Sequence, residues 1–253
     1  MRLYRETRIR ADLDDVWARA QDPARRRRWD LRFTRIEHLP RAEGEPQRFR
    51  FATRVLPFLT ISGTGVSADD GERPDGTRTS ALRFASPHPL SLPAEGRGYW
   101  RAVPDGDGVR LLTGCDYRTR WGVLGAPADR LLLRPLAGWA TAWSLDRLRL
   151  WLERGITPER ALRNWLAEIA VRACVIAFAV TGLGLGPLVD LLGLLGPFEA
   201  WLLYGCPLLL SVAVCVALFK APLAGTPAAR RCVREPLVQA RTPRLLRTLE
   251  SPL

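Results

Sequence analysis

Alternating apolar and polar side chains, the period of a β-strand, recur along the first half of the chain. The clearest run lies near residue 110, where Val109, Leu111, Thr113, Cys115 and Tyr117 would share one face. We therefore predict a sheet with one covered face and one solvated face. The predicted strands span residues 2–11, 32–39, 47–55, 58–66, 77–85, 96–103 and 109–121.

Two short helices are predicted between the first and second strands. Asp12 is a suitable N-cap for a helix that carries Val16 and Trp17. Asp22 is a suitable N-cap for the next helix, because Pro23 follows it and the first helical position needs no backbone N–H donor.

A long helical segment is predicted over residues 127–153, ended by Gly155, because apolar side chains recur there at helical spacing. Pro135 should kink this segment or divide it in two. The order of one strand, two short helices, about six strands and one long helix predicts an α+β domain. Its antiparallel sheet would wrap around the long helix.

Two uncharged runs nearer the C-terminus have almost the length of a membrane-spanning helix, roughly 20 residues. We predict a two-helix transmembrane hairpin with spans at about residues 170–189 and 200–219, its turn flanked by Asp190 and Glu199. A buried helical hairpin in a soluble domain is the alternative. Gly182 and Gly186 have the GxxxG spacing of closely packed membrane helices, so a membrane-protein partner is a further hypothesis.

The distribution of arginine predicts the orientation of this hairpin. Basic residues precede the first span and follow the second, and the turn has none, so both ends should be cytoplasmic. No apolar segment typical of a signal peptide opens the sequence. The predicted organisation is a domain over residues 1–158, the hairpin over 159–222 and a basic cytoplasmic tail over 223–253.

The formal net charge is +12, and all but one of the 38 basic residues are arginine. This charge favours an anionic partner, either nucleic acid or lipid headgroups. On a helix Arg25–Arg28 would point in directions about 100° apart, and Trp29 alone makes no base-stacking groove, so we predict no nucleic-acid partner. A solvated helix or contact with a membrane surface fits better. The side chains predicted at that surface are Arg25, Arg26, Arg27, Arg28, Arg163, Arg172, Arg230, Arg231 and Arg234.

The sequence offers little catalytic or metal-binding chemistry. It lacks HExxH and GxSxG motifs, and its five cysteines form no CxxC pair. We therefore predict no metal site and no cofactor, and interpret the cysteines as small buried apolar residues. His38 and His88 have the surroundings of solvated histidines. Tyr117 is the best inward-facing candidate for proton transfer.

Two segments resemble the START-like superfamily, also called SRPBCC, which includes polyketide cyclases, coenzyme Q-binding proteins and lipid carriers. "ADLDDVWARAQDPARRRRWD" (11–30) is similar to that family's first strand-to-helix segment, and "WATAWSLDRLRLWLERG" (139–155) to its C-terminal helix. The resemblance covers roughly residues 1–155. It implies a helix-grip fold, in which a curved sheet and a long helix enclose a deep cavity for an apolar ligand.

The function that these patterns favour is binding of an apolar small molecule or lipid, as carrier or sensor, by a membrane-anchored domain. A cyclase- or hydrolase-like enzyme that uses the same cavity is one alternative. An interaction partner of another membrane protein is a second. Aromatic side chains on the covered faces also suit ordinary core packing. The predicted cavity residues are Trp29, Phe51, Phe84, Trp100, Thr113, Tyr117, Trp121, Trp139 and Trp143.

Overall fold

The computed structural model describes residues 3–42, 44–191 and 207–235, together with Pro243 and Leu245. Internal contacts divide the chain into two compact units. The first contains residues 1–159 and 227–253, and the second contains residues 160–226. The first unit is therefore built from two parts of the chain that are distant in sequence.

The first unit is an α+β structure around a seven-stranded antiparallel sheet, as the strand pattern predicts. The strand order is β1-β7-β6-β5-β4-β3-β2, so each strand from β2 to β7 pairs with its sequence neighbour, and β1 closes the sheet against β7. The strands are β1 (Leu3–Ile9), β2 (Arg35–His38), β3 (Gln47–Leu56), β4 (Leu59–Glu72), β5 (Arg78–Ala85), β6 (Pro93–Asp105) and β7 (Gly108–Thr119).

The two predicted short helices are confirmed as α1 (Leu13–Gln21) and α2 (Pro23–Trp29). The Asp12 carboxylate accepts a hydrogen bond from the Asp14 amide at 2.8 Å, and the Asp22 carboxylate accepts one from the Ala24 amide at 2.8 Å. Both carboxylates therefore satisfy amides that the first turn of each helix leaves unpaired.

The long C-terminal helix is interrupted where the proline predicts it. The chain is helical in α3 (Gly122–Ala128), passes through a π-helical turn at Asp129–Leu133 and continues as α4 (Arg134–Arg154). Pro135 has no backbone N–H, and the wider turn directly before it shifts the hydrogen-bond pattern. Gly155, with φ of 63°, ends α4 as predicted.

The core of the first unit lies between the inner face of the sheet, α1, α2 and α4. Trp29 and Trp100 meet edge to face at its centre, with ring centroids 5.9 Å apart. The other buried apolar members are Ile9, Val16, Ala20, Ala102, Val109, Leu111, Ala142, Leu145, Leu148 and Cys232.

The outer face of the sheet is less uniformly solvated than the alternation predicts. Ala81, Tyr99 and Leu112 are buried on it, and the partly buried Leu245 packs against them. A small second apolar cluster therefore covers part of this face.

Residues after the second unit return to complete the first. Asp146 on α4 is fully buried, and its carboxylate accepts hydrogen bonds from Arg149 Nε at 2.7 Å, the Ala228 amide at 2.7 Å and Arg231 Nη1 at 2.8 Å. Cys232 is buried in the core, and Val233 forms a bridge with Glu6 of β1. The segment predicted as the start of a basic tail thus contributes core contacts.

The second unit contains most of α5 (Pro158–Leu191) and α6 (Pro207–Phe219). Among the described residues, Pro158–Thr181 is long and apolar enough to cross a membrane, whereas the apolar part of α6, Leu209–Phe219, is shorter. The helix thus begins well before the predicted span at residue 170. The predicted turn around Glu199 and residues 200–206 of the second span lie outside the described residues.

The contacts of Asp146 give a first test of the fold. We expect Asp146→Ala to lower the free energy of unfolding by about 3–5 kcal/mol, because Arg149 and Arg231 both lose their ion pair with this fully buried carboxylate, although Arg149 keeps its pair with Glu153. Hydrogen exchange of the full chain should show faster exchange at the amides of Ala228 and Val233. Asp15→Ala, which removes an exposed ion pair, is the control and should cost less than about 1 kcal/mol. Unchanged protection at Ala228 would contradict this account.

Candidate functional site

A cavity of about 490 Å³ lies inside the first unit. Its wall is formed by the inner face of the sheet, the segment from the end of α1 through α2 to β2, and the first half of α4. Most of this wall is aromatic or aliphatic. The side chains that make it aromatic are Phe33, Phe49, Phe51, Phe84, Trp100, Tyr117 and Trp139, joined by His38.

Six of the nine residues predicted to line a cavity do lie in its wall. They come from five different elements, so the fold gathers side chains that are up to about 90 positions apart in the sequence. These residues are Phe51, Phe84, Trp100, Thr113, Tyr117 and Trp139.

The other three predicted cavity residues lie outside the lining. Trp29 is fully buried behind Trp100 and donates a hydrogen bond from Nε1 to the Arg19 carbonyl at 2.9 Å. Trp143 is buried in the core, and its ring stacks on that of Trp139 with the ring centroids 6.1 Å apart. Trp121 is 43% exposed, and its Nε1 donates to the Pro89 carbonyl at 3.0 Å.

Phenylalanine rings form the sheet side of the cavity by lying over cross-strand glycines. Phe51 pairs with Gly63, and Phe84 pairs with Gly96. A Cβ atom at Gly63 would lie 2.5 Å from Phe51 Cζ, and one at Gly96 would collide with the Phe84 ring. The absence of a side chain at both positions therefore allows each ring to lie flat against the sheet. The rings of Phe51 and Phe84 in turn meet edge to face at 6.2 Å.

A buried ion cluster forms the polar part of the wall. Asp30 is 1% exposed and accepts two hydrogen bonds from Arg32, at 2.8 Å from both Nε and Nη2. Arg26 Nε donates to the same carboxylate at 3.3 Å. Both guanidinium groups lie over the Trp100 ring, at 4.8 Å for Arg26 and 5.5 Å for Arg32. Arg26 and Arg32 line the cavity, and Asp30 lies behind them.

The cluster remains charged at neutral pH. Burial would raise the pKa of Asp30, but the charges and hydrogen bonds of Arg32 and Arg26 hold it below its usual range. Burial, together with the charge of Arg32, lowers the pKa of Arg26 to about 10, so Arg26 keeps its proton. Partial burial and the nearby charges of Arg26 and Arg41 lower the pKa of His38, which is therefore neutral.

Tyr117, the candidate for proton transfer, faces a second buried carboxylate. Its hydroxyl donates to Asp129 Oδ1, and Arg134 Nη2 donates to Asp129 Oδ2 at 2.7 Å. Burial and the bond to Asp129 raise the pKa of Tyr117. The hydroxyl is thus a hydrogen-bond donor that anchors the π-helical turn carrying Asp129. Its role in any proton transfer stays a prediction.

Cys115 is the one described cysteine in the cavity wall. Burial raises the pKa of its thiol to about 12, so it is protonated and weakly nucleophilic at neutral pH. The described cysteines Cys115, Cys174, Cys215 and Cys232 are free. The part of the chain that the structure describes has no group of three potential metal ligands.

The four consecutive arginines have different surroundings. Arg26 turns inward to the cavity, whereas Arg25 pairs with Asp22 at 3.3 Å and Arg28 makes two hydrogen bonds with Glu159. Arg27 is exposed. Of the other arginines predicted at a membrane surface, Arg163, Arg230 and Arg234 are exposed, Arg172 pairs with Glu168, and Arg231 pairs with Asp146.

Sequence reasoning missed several polar members of the wall, among them Gln21, Arg32, His38 and the inward position of Arg26. One signal was present, because Asp30 follows Arg26 by four residues, the spacing of facing side chains on a helix. That spacing alone does not show that the pair is buried.

No known protein-family profile matches the chain. A curated relative is an uncharacterised membrane protein, YndG, of Bacillus subtilis. The two are 44% identical over 174 residues, which cover 68% of this chain and 64% of the relative. The matched region therefore spans a little under two thirds of that relative's length.

The fold is similar to several solved structures. A Thermus thermophilus protein has 20% identity and a TM-score of 0.45, over 58% of this chain and 96% of that chain. The Zhui aromatase/cyclase from a Streptomyces species has 18% identity and a TM-score of 0.42, over 60% and 96%. A STAR-related lipid transfer protein from Xanthomonas axonopodis has 22% identity and a TM-score of 0.42, over 59% and 84%.

We expect Asp30→Asn to lower the free energy of unfolding by about 3–5 kcal/mol near neutral pH, because two buried guanidinium groups lose their counter-charge. The pKa of Asp30 is depressed, so its stabilisation is present above the unfolded pKa of about 3.9 and lost as pH falls further. Denaturant unfolding over the acidic range should therefore show the two proteins converging. Asp107→Asn, in an exposed ion pair, is the control. A constant difference at all pH values would contradict the assignment.

A second prediction concerns the glycine beneath Phe51. Ala is normally tolerated better than Gly within a strand, but here the new Cβ would collide with the Phe51 ring and the Ala85 carbonyl oxygen. We expect Gly63→Ala to destabilise the protein by about 1–3 kcal/mol in thermal or denaturant unfolding. Thr64→Ala, at the exposed neighbouring position, should change stability by less than about 1 kcal/mol. Equal stability of the two variants would show that Phe51 does not need the glycine.

Proposed function

We propose that this protein binds an apolar small molecule or lipid in the cavity of its first unit while the second unit anchors it in a membrane. The observation that carries the proposal is the cavity itself. Its volume of about 490 Å³ lies within the range of small-molecule sites, roughly 300–1,000 Å³, and its wall is mainly aromatic and aliphatic. An apolar ligand would gain free energy by burying its surface against this wall.

The opening of the cavity supports loading from an apolar phase. Leu31, Val55, Leu136 and Trp139 belong to the lining and are nevertheless between 40% and 61% exposed. These side chains give the opening an apolar rim. Such a rim suits a ligand that is dissolved in lipid better than one that diffuses through water.

The second unit supports the membrane anchor. Large apolar side chains on both helices are exposed, among them Phe178 and Val180 on α5 and Leu209 and Phe219 on α6. Exposed apolar helix surfaces of this kind are stable in lipid and unfavourable in water. The relative from Bacillus subtilis is described by its name as a membrane protein.

Polar contacts within the second unit support the two-span hairpin. Arg172 Nη1 donates to the Ala217 carbonyl at 2.7 Å, and Arg172 Nη2 donates to the Lys220 carbonyl at 3.0 Å. The C-terminal end of α6 is thereby bound to α5 at Arg172. In our proposal the Arg172 contacts lie at one membrane boundary. From there the apolar segments of α5 and α6 extend into the bilayer. The excess of arginine outside the spans supports a cytoplasmic position for both chain ends.

The domain organisation follows from the same proposal. The ligand-binding domain comprises residues 1–158, the hairpin 159–222 and the basic tail 223–253, of which the first part docks on the domain. The resemblance of residues 11–30 and 139–155 to START-like proteins supports assigning the first unit to that superfamily. The arginines at exposed positions, such as Arg27 and Arg163, would then contact anionic headgroups.

Native mass spectrometry of the full chain in a nonionic detergent, followed by solvent extraction, tests the binding function. The full chain is needed, because residues 227–233 contribute Cys232 and the partners of Asp146 to the folded domain. We expect one apolar molecule per chain. Ala140→Trp should reduce its occupancy at least about tenfold, because Ala140 lines the cavity and a larger ring would fill the volume.

Leu132→Trp is the matched control, since it adds the same ring to an exposed position on the same helical segment. It should leave occupancy unchanged. A folded wild-type protein that carries and accepts no apolar molecule would refute the proposed function. Equal occupancy in Ala140→Trp would show that the bound molecule lies outside the cavity.

A further inference from the structure

The charge of the cavity wall is unbalanced. Of the described lining residues, Arg26 and Arg32 have charged side chains and none is Asp or Glu. Asp30, behind the wall, supplies one negative charge to two positive ones. The cluster therefore carries a net charge of +1 on the side that faces the cavity.

Some hydrogen-bond donors at the cavity wall also have no acceptor among the described residues. Arg26 uses only Nε for Asp30, and its Nη1 and Nη2 make no hydrogen bond with a described residue. The Nε2 atom of Gln21, another residue of the cavity lining, is also buried without a described partner. Two threonine hydroxyls of the lining are already occupied, because Thr53 donates to the Arg32 carbonyl and Thr113 to the Tyr99 carbonyl.

The position of the free donors is fixed by packing. The Arg26 guanidinium lies 4.8 Å from the Trp100 ring centroid and 5.1 Å from that of Phe33. Its side chain is only 12% exposed. A cation held between aromatic rings and away from bulk water interacts more strongly with an anion than one on the surface.

We propose that the cavity ligand is an anionic amphiphile, whose carboxylate or phosphate group binds Arg26, Arg32 and Gln21 while its apolar chain lies against Phe51, Phe84 and Trp139. This inference rests on the proposed function, since it names the ligand class of the same cavity. Burying a carboxylate or phosphate without a partner is costly, and the uncompensated guanidinium charge offsets that cost. A neutral lipid could accept hydrogen bonds from Arg26 and Gln21 through a hydroxyl or ester oxygen, but it would leave the positive charge of the cluster unbalanced.

The test compares two probes of equal chain length, bromododecanoate and bromododecanol, each brominated at the chain end. Bromine quenches tryptophan fluorescence, and Trp100 and Trp139 line the cavity. Binding is measured with the full chain in a neutral detergent, at a mildly alkaline pH that ionises the carboxylate. The quantity compared among proteins is the ratio of the alcohol Kd to the carboxylate Kd, so that partition of the probes into micelles cancels.

We expect Arg26→Gln to lower this ratio by roughly 10- to 100-fold, the range that a charged hydrogen bond contributes. The substitution keeps the Arg32–Asp30 pair, so the fold should persist, as circular dichroism would check. Arg27→Gln, at the exposed neighbouring position, is the matched control and should leave the ratio unchanged. Dodecyl phosphate should compete with bromododecanoate, and inorganic phosphate should not.

The outcomes separate the two proposals. If neither probe binds wild type, the proposed function fails. If both bind and the ratio is the same in wild type and Arg26→Gln, the cavity binds apolar molecules but the anionic class is wrong. Competition by inorganic phosphate alone would identify a site for a free anion and would also overturn the amphiphile.

Discussion

A carboxylate buried away from water must be compensated, and Asp30 imposes this requirement on the wall of the cavity. It draws Arg26 from α2 and Arg32 from the following loop into the wall. Both guanidinium groups then lie over Trp100, which also contacts Trp29 edge to face in the core. One ion cluster thus connects the packed core to the open cavity, and it leaves a positive charge where a ligand would bind.

A second buried carboxylate, Asp146, requires partners from a distant part of the chain. Asp146 is buried on α4, and two of its three hydrogen-bond donors come from the chain after the second unit, at Ala228 and Arg231. The carboxylate is therefore fully compensated only after residues 160–226 have been synthesised. Completion of the first unit therefore requires that the apolar helices of the second unit have already been synthesised.

Much of the fold follows from local sequence signals, because alternation, N-caps and proline act over a few residues. Asp12, Asp22 and Pro135 mark helix boundaries through their own backbone chemistry. The cavity is harder to predict, because a tryptophan in the core and a tryptophan in a cavity wall both stand at inward-facing positions of the apolar–polar alternation. Trp29 and Trp100 are both buried, but the ring of Trp100 borders the cavity and that of Trp29 is surrounded by the core. Likewise, the arginine run does not reveal that Arg26 alone turns inward, which depends on the distant Trp100.

A cavity of this size requires a rigid wall. Side chains that line an open apolar cavity lack packing partners on one side, so collapse of the wall would be favourable unless other contacts prevented it. Three features resist collapse: glycines beneath Phe51 and Phe84, the Asp30 cluster, and the Tyr117–Asp129–Arg134 contacts at the π-helical turn. A bound amphiphile would fill the remaining volume, so ligand binding and domain stability should be thermodynamically linked. The polar contacts that keep the cavity open are, in this view, the same ones that select what enters it.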